Sequence, residues 1–211
     1  MKKKKISKNW LNKHKKDSFF KKSKIEGFRS RSAYKLIEMN KKFNFLKKNL
    51  SVLDLGSYPG GWSQIIKKEI KIGKVLSIDI KPMQKINNVD FIKGDFSSNE
   101  IIDKIIAYFK DNADVVVSDI AVSTTGNKSL DSFRTGELCI SAMNLAIKIL
   151  SSNGVFLSKL FMGSIFTEIH KKANKYFKKV VKYKPLSSRK ESKEIYIYCK
   201  GISKSFNFPM V

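Results

Sequence analysis

The sequence predicts an α/β fold: a mostly parallel sheet of seven strands with helices on both faces and an antiparallel hairpin at its end. Three observations predict it. Short, β-branched apolar runs alternate with stretches of helical periodicity, which is the pattern of a parallel sheet covered on both sides. A glycine-rich turn, "GSYPGG" (56–61), directly follows the first apolar run. The last two strands are separated by a loop of about eight residues, 186–193, too short for a parallel crossover, so those strands must pair antiparallel.

The elements follow in order. Residues 1–24 are polar and lysine-rich and read as a poorly ordered or loosely helical arm, 1–30 being set apart as a basic N-terminal region. From Ser32 to Phe45, Ala33, Leu36, Ile37, Met39 and Phe43 recur at helical spacing. "SVLDLG" (51–56) reads as a buried strand, 61–71 as a helix, "KVLSIDI" (74–80) as a second strand and "VDFIKGD" (89–95) as a third. Residues 98–111 read as a helix, "DVVVSDI" (114–120) as a fourth strand, 121–131 as a loop and 132–150 as a long helix. "GVFLSKLF" (154–161) is a fifth strand, 163–177 a helix, and "KVVKYKP" (179–185) and "EIYIYCKG" (194–201) are the closing pair. Residues 31–205 are thus expected to form one domain, with 206–211 a C-terminal tail.

Charge points to a partner. The chain has 211 residues, with 43 Lys+Arg against 18 Asp+Glu and a formal net charge of +25. Residues 1–48 hold 18 of the Lys/Arg and three acids, Asp17, Glu26 and Glu38, for +15. A localised basic surface gathers polyanions and releases their counterions on binding, so nucleic acid is the first candidate partner and an anionic membrane surface the second. A lysine-rich proteome would also raise the count. Arg29 and Arg31 offer fork-shaped donors for RNA phosphates, and Tyr34 either stacks on a base or packs in the core. The two cysteines, Cys139 and Cys199, form no CxxC or Cys/His cluster. They read as reduced core thiols of a cytoplasmic protein, not as a disulfide or metal scaffold. No apolar run approaches the ~18 residues that span a bilayer, and no apolar stretch follows the basic N-terminus to make a secretory signal.

The turn at 56–61 sits where ligands bind in open α/β sheets, beyond the carboxyl ends of the strands. It is neither GxGxxG nor GxxxxGK[ST]. Pro59 removes a backbone N–H, and Trp62 sets a large aromatic at the start of the helix. Both suit an apolar, cationic or zwitterionic ligand better than a diphosphate. Asp79 ends the second strand, where a carboxylate can accept from two ribose hydroxyls. Asp95 ends the third, where it can meet an adenine amino group with Phe96 beside the ring. A nucleoside without phosphates, its tail over a glycine turn, matches S-adenosylmethionine. Lys159 interrupts an apolar strand, a costly place for an ammonium unless it is paired or reaches the edge. Asp119 ends the fourth strand. Lys35 and Glu194 are weak signals by themselves.

Taken together, "GFRSRSAYKLIEM", "DLGSYPGGWSQ", "DFIKGDF", the "SD" at 118–119, "SKLFMG" and "SRKESKEIYIYCKG" occur in the order found in FtsJ/RrmJ-type ribosomal RNA ribose 2′-O-methyltransferases, and the chain resembles that family over about residues 8–201. The resemblance implies a Rossmann-like, S-adenosylmethionine-dependent methyltransferase fold. It implies a Lys-Asp-Lys-Glu catalytic tetrad at Lys35, Asp119, Lys159 and Glu194, and cofactor contacts at Gly60, Trp62, Asp79, Asp95 and Asp119. It further implies a uridine 2′-hydroxyl of large-subunit ribosomal RNA as target, in assembled particles. A monomer is the default expectation, since the sequence is silent on oligomeric state. Transfer RNA or another RNA, or a catalytically inactive RNA-binding relative, are the alternatives. Two departures stand out: Ser57-Tyr58 where the family has Ala-Ala, and "SDIAVS" (118–123) where it has "SDMAPN". Tyr58 is expected along the cofactor pocket or its rim.

Overall fold

The computed structural model describes residues 17–203 apart from 111, 123–124 and 190; most of the basic arm and the C-terminal tail lie outside the described residues. Six helices and seven strands are described: α1 (Ser18–Ile25), α2 (Ala33–Phe43), β1 (Ser51–Leu55), α3 (Gly61–Ile70), β2 (Lys74–Asp79), β3 (Asp90–Lys93), α4 (Asn99–Phe109), β4 (Ala113–Ser118), α5 (Lys128–Ile149), β5 (Leu150–Phe161), α6 (Phe166–Tyr176), β6 (Phe177–Tyr183) and β7 (Glu194–Ile202). No described helix is long and apolar enough to cross a membrane.

The strands form one seven-stranded sheet in the order β3-β2-β1-β4-β5-β7-β6. Neighbours from β3 to β5 pair parallel, while β7 pairs antiparallel with both β5 and β6. The expected antiparallel closing pair is present, and β7 enters between β5 and β6 instead of adding at the edge. The side-chain alternation of the strands divides the core in two. Leu53, Phe156 and Leu160 pack with α4, α5 and α6 on one face. Val52, Val155, Leu157, Tyr196 and Tyr198 pack with α2 and α3 on the other. Lys159 lies two residues beyond Leu157 and so emerges on the α2–α3 face.

Two element boundaries differ most from the sequence reading. Helix α5 starts at Lys128, not at 132, because Asn127 caps it: its side chain accepts from Ser129 N and Leu130 N. Strand β5 starts at Leu150, within a stretch assigned to helix and turn, and its register with β4 shifts between Ala113 and Val115. Part of the polar N-terminal arm is helical. Asp17 caps α1 by accepting from Phe20 N at 3.1 Å, and Tyr34 closes over the helix, 7% exposed, its hydroxyl donating to Glu26 at 3.0 Å. Tyr34 is therefore a core aromatic, edge-on to Phe28.

Candidate active site

Two groups of residues meet at the carboxyl ends of the parallel strands. The first is built on the glycine turn. Gly56 and Gly60 both have positive φ, +74° and +109°, a region a side chain would strain. A Cβ on Gly56 would lie 2.3 Å from Ile120, so β1 and the chain after β4 can approach this closely only at glycine. The turn is tied to β2: Gly56 N and Ser57 N donate to Ile78 O at 2.9 and 3.1 Å. Asp79, the last residue of β2, accepts from Tyr58 N at 2.9 Å through one oxygen and from Lys81 N at 2.8 Å through the other. Each oxygen keeps lone-pair capacity for a second donor. Gly94 N donates to Asp79 O at 3.0 Å, which brings Asp95 alongside. One Asp95 oxygen accepts from Ser97 N and Ser97 Oγ, while the other has no partner among the described residues.

The neighbouring aromatics divide. Tyr58 is 48% exposed, at the rim beside Asp79, with Lys81 Nζ 5.2 Å from its ring centroid. Phe96 is buried in the core with α4 and α5 and is not an open platform for a ring. Trp62 is 2% exposed; its indole N–H donates to Ser32 O at 2.9 Å, and its ring lies 5.9 Å from that of Tyr196. What Trp62 offers a ligand is its backbone N–H, which with that of Gly61 belongs to the first turn of α3, where N–H groups have no intrahelical acceptor.

The second group is a chain of paired charges. Lys159 Nζ stands 3.0 Å from Asp119 Oδ1 and donates to the Asp119 carbonyl at 2.6 Å. Tyr196 donates its hydroxyl to the same Oδ1 at 2.7 Å; it faces Lys159 directly across the β5–β7 ladder. Lys35, from α2, lies 2.6 Å from one Glu194 oxygen and 2.8 Å from the other, and Ser188 Oγ donates to Glu194 at 2.8 Å. Lys35 Nζ is 5.8 Å from the Tyr196 ring centroid, so Tyr196 bridges the two pairs. Burial would raise the Asp119 carboxyl, but Lys159, then Lys35, and the Tyr196 hydroxyl outweigh it and hold Asp119 below the usual carboxylate value. Burial, with Asp119 and Glu194 nearby, pushes the Tyr196 phenol well above its ordinary value, so it stays a donor.

The structure thus brings together Lys35, Asp119, Lys159 and Glu194, and sets Gly60, Trp62, Asp79 and Asp95 around the adjoining turn. Two residues of this region carry chemistry that sequence reasoning passed over. Tyr196 shares a strand face with Glu194 at i, i+2, which is the signal that could have found it. Asp54, 1% exposed on β1, accepts from Ser63 Oγ at 2.6 Å, and burial, offset by that bond and reinforced by Asp119 and Asp79, raises its carboxyl to about 7.

Arg29 and Arg31, expected to face RNA, use their forks on the protein itself. Arg29 donates to Gln84 O at 2.6 Å, Lys85 O at 2.9 Å and Pro59 O at 3.4 Å, clasping the loop after β2 to the glycine turn. It covers Gly60 so closely that a Cβ there would come within 2.9 Å of Arg29 Nη1. Arg31 pairs with Asp17 and donates to Ser187 O. Unsatisfied carbonyls at loop ends are strong acceptors, and both guanidinium groups are held by them.

Comparison with known proteins adds to this geometry. Residues 28–202 match the family model of FtsJ-like methyltransferases. The chain is 52% identical over 200 residues, 95% of its length and 98% of the relative's, to the ribosomal RNA large subunit methyltransferase E of Pelagibacter ubique. It is 42% identical over 195 residues, 90% of its length and 86% of the relative's, to the protein of the same name from Rickettsia akari. A Plasmodium falciparum protein solved as a ribosomal RNA methyltransferase superposes with a TM-score of 0.75 at 35% identity, covering 83% of this chain and 98% of that one. The fibrillarin pre-rRNA processing protein of Methanococcus jannaschii shares the fold, with a TM-score of 0.56 at 15% identity over 76% of this chain and 70% of that one.

Proposed function

The chain belongs to the FtsJ-like methyltransferase family, and from that premise we propose that it uses S-adenosylmethionine to methylate a ribose 2′-hydroxyl, a uridine's, in large-subunit ribosomal RNA within assembled particles. The observation that carries this reading is the Lys159–Asp119 pair, 3.0 Å apart, beside the Lys35–Glu194 pair at the strand ends. The substrate comes from the names of the relatives, two of which are ribosomal RNA large subunit methyltransferases E.

The residues around the turn fit such a cofactor. Asp79 has each oxygen oriented by one backbone N–H and open to a second donor, the arrangement a pair of ribose hydroxyls needs. Asp95 has one free oxygen for an amino group. The N–H groups of Gly61 and Trp62, at the positive end of α3, suit a carboxylate. When bound, the cofactor supplies an electrophilic methyl group on a sulfonium.

The remaining work falls to side chains. A 2′-hydroxyl is a weak nucleophile whose proton must leave as the new C–O bond forms. Lys159 accepts it as a neutral amine and so becomes the ammonium that Asp119 partners. Asp119 holds that amine through its carboxylate and its backbone carbonyl, and Tyr196 fixes the carboxylate in turn. Glu194 and Ser188 hold Lys35 beside the pair, where its positive charge stabilises negative charge developing on the 2′-oxygen. Much of the acceleration comes from this fixed alignment.

The reading is tested by incubating the protein and cofactor with large-subunit particles and, separately, with protein-free ribosomal RNA, then mapping the added methyl group by mass spectrometry. A methyl on a uridine ribose, favoured on the particle, is expected. A methyl on a base, or transfer to transfer RNA instead, contradicts it.

A further inference from the structure

With Arg29 and Arg31 held by internal acceptors, the exposed positive charge of the described chain is richest elsewhere. Residues 171–184, from the second half of α6 through β6, carry seven lysines and no aspartate or glutamate. Lys171, Lys178, Lys179 and Lys182 are exposed and Lys172 is partly so. None of these five joins a salt bridge among the described residues.

Strand β6 is the outer strand of the sheet, and lysines on an edge strand deter pairing between copies of a protein. That role does not account for the arrangement across the ladder. Lys179 faces Lys200 of β7 directly in the register. Like charges opposite one another oppose strand pairing, so the fold keeps a repulsion that a bound polyanion would relieve. Nor does edge protection account for Lys171 and Lys172, which lie on the neighbouring helix.

The position relative to the site is also suited to a long substrate. Lys159, Tyr196 and Tyr183 occupy one row across β5, β7 and β6. Two strand spacings of about 4.8 Å set the basic strand roughly 10 Å from the strand that carries Lys159. Along β6, Val181 and Tyr183 pack on the α2–α3 face and Val180 on the α6 face. Lys179 therefore lies on the face of Lys159, while Lys178 and Lys182 lie on the other, with Lys182 Nζ 5.6 Å from the Phe166 ring. The edge presents lysines to both sides.

We propose that the outer surface of β6 and the adjoining surface of α6 form an RNA-docking face that takes the phosphate backbone of the substrate at a distance from the reacting ribose. The proposal rests on the reading that the substrate is ribosomal RNA. A polyanion gathered there releases counterions, so its contribution is written in the salt dependence of binding.

The test compares the full-length protein with the triple variant Lys178→Gln, Lys179→Gln, Lys182→Gln, using transcribed large-subunit ribosomal RNA for binding and large-subunit particles for turnover. Each lost phosphate contact lowers the slope of log affinity against log salt by about 0.7–0.9, so the triple variant should lose about 2. Its KM for particles should rise about tenfold or more, with kcat and cofactor affinity retained. A matched variant on the opposite half of the sheet, Lys67→Gln, Lys68→Gln, Lys93→Gln, should keep the wild-type slope. An unchanged slope in the first variant overturns the proposal, as does an equal loss in both variants. Self-association of the first variant with unaltered RNA affinity also overturns it, and assigns the lysines to edge protection. If the wild-type protein methylates no ribosomal RNA at all, it is the functional reading that fails.

Discussion

The two halves of the strand-end face are built by different means. On the β1–β3 side, backbone does the shaping: two positive-φ glycines, the first turn of α3, and carboxylates at strand ends oriented by N–H groups. On the β4–β7 side, charged side chains from β5, β7, α2 and the segment after β4 are locked in pairs around Tyr196. The first half is open and sparing of side chains, as a site for a small ligand must be. The second is dense and mutually compensated, because an ammonium or carboxylate taken from water must be partnered. On the proposed function, the difference makes binding and transfer separable, and each prediction below tries that separation.

The largest effect should come from breaking a pair on the dense side. Glu194→Ala leaves Lys35 largely buried without its partner, and truncating one member of such a pair costs about 3–5 kcal/mol. Thermal or denaturant unfolding should show it, and Lys35→Met added to Glu194→Leu should recover most of the loss. Next, Asp79→Ala removes the acceptor expected for two hydroxyls, each charge-assisted bond contributing about 1.5–3 kcal/mol. Calorimetry should find cofactor affinity reduced about 100-fold or more, with turnover at saturating cofactor largely kept.

Smaller effects mark the seam between the halves. Asp54 has its carboxyl raised to about 7 by burial, with Asp119 and Asp79 adding to it. Below about pH 4 the folded and unfolded chains both hold that proton; from there to about 7 only the folded chain does, so this contribution to stability is lost as pH rises through the window. Asp54→Asn should flatten that decline, by on the order of 2 kcal/mol between pH 5 and 7. Smallest, Arg29→Ala frees the loop after β2 from the glycine turn. About tenfold weaker cofactor binding is expected, with kcat at saturation retained; Arg29→Lys should recover part of it.

The fold was legible because strand and helix alternate in β-branched runs such as "DVVVSDI" with little ambiguity of period. The antiparallel pairing of β7 followed from loop length alone. Its insertion between β5 and β6 did not, since short-range loop geometry does not say on which side of β5 a hairpin docks. The site was partly legible. Asp79, Asp95 and Asp119 announce themselves as acids at strand ends, and Lys159 as a charge in an apolar strand. Lys35 and Glu194 sit 159 positions apart, and nothing local pairs them; they were reached through family resemblance. The basic N-terminal region misled in one respect. Composition counts arginines but not the carbonyls they meet, and Arg29 and Arg31 are bound to backbone oxygens from 30 to 156 positions away. Phe96 misled likewise, being apolar enough for a ring platform and equally for the core.

The separation of the two halves is tested most directly by Lys159→Ala, measured for cofactor affinity by calorimetry and for methyl transfer to large-subunit particles on the same preparation. The account predicts affinity within about twofold of wild type and no detectable transfer. Substantial transfer, or loss of cofactor binding in step with activity, would contradict it.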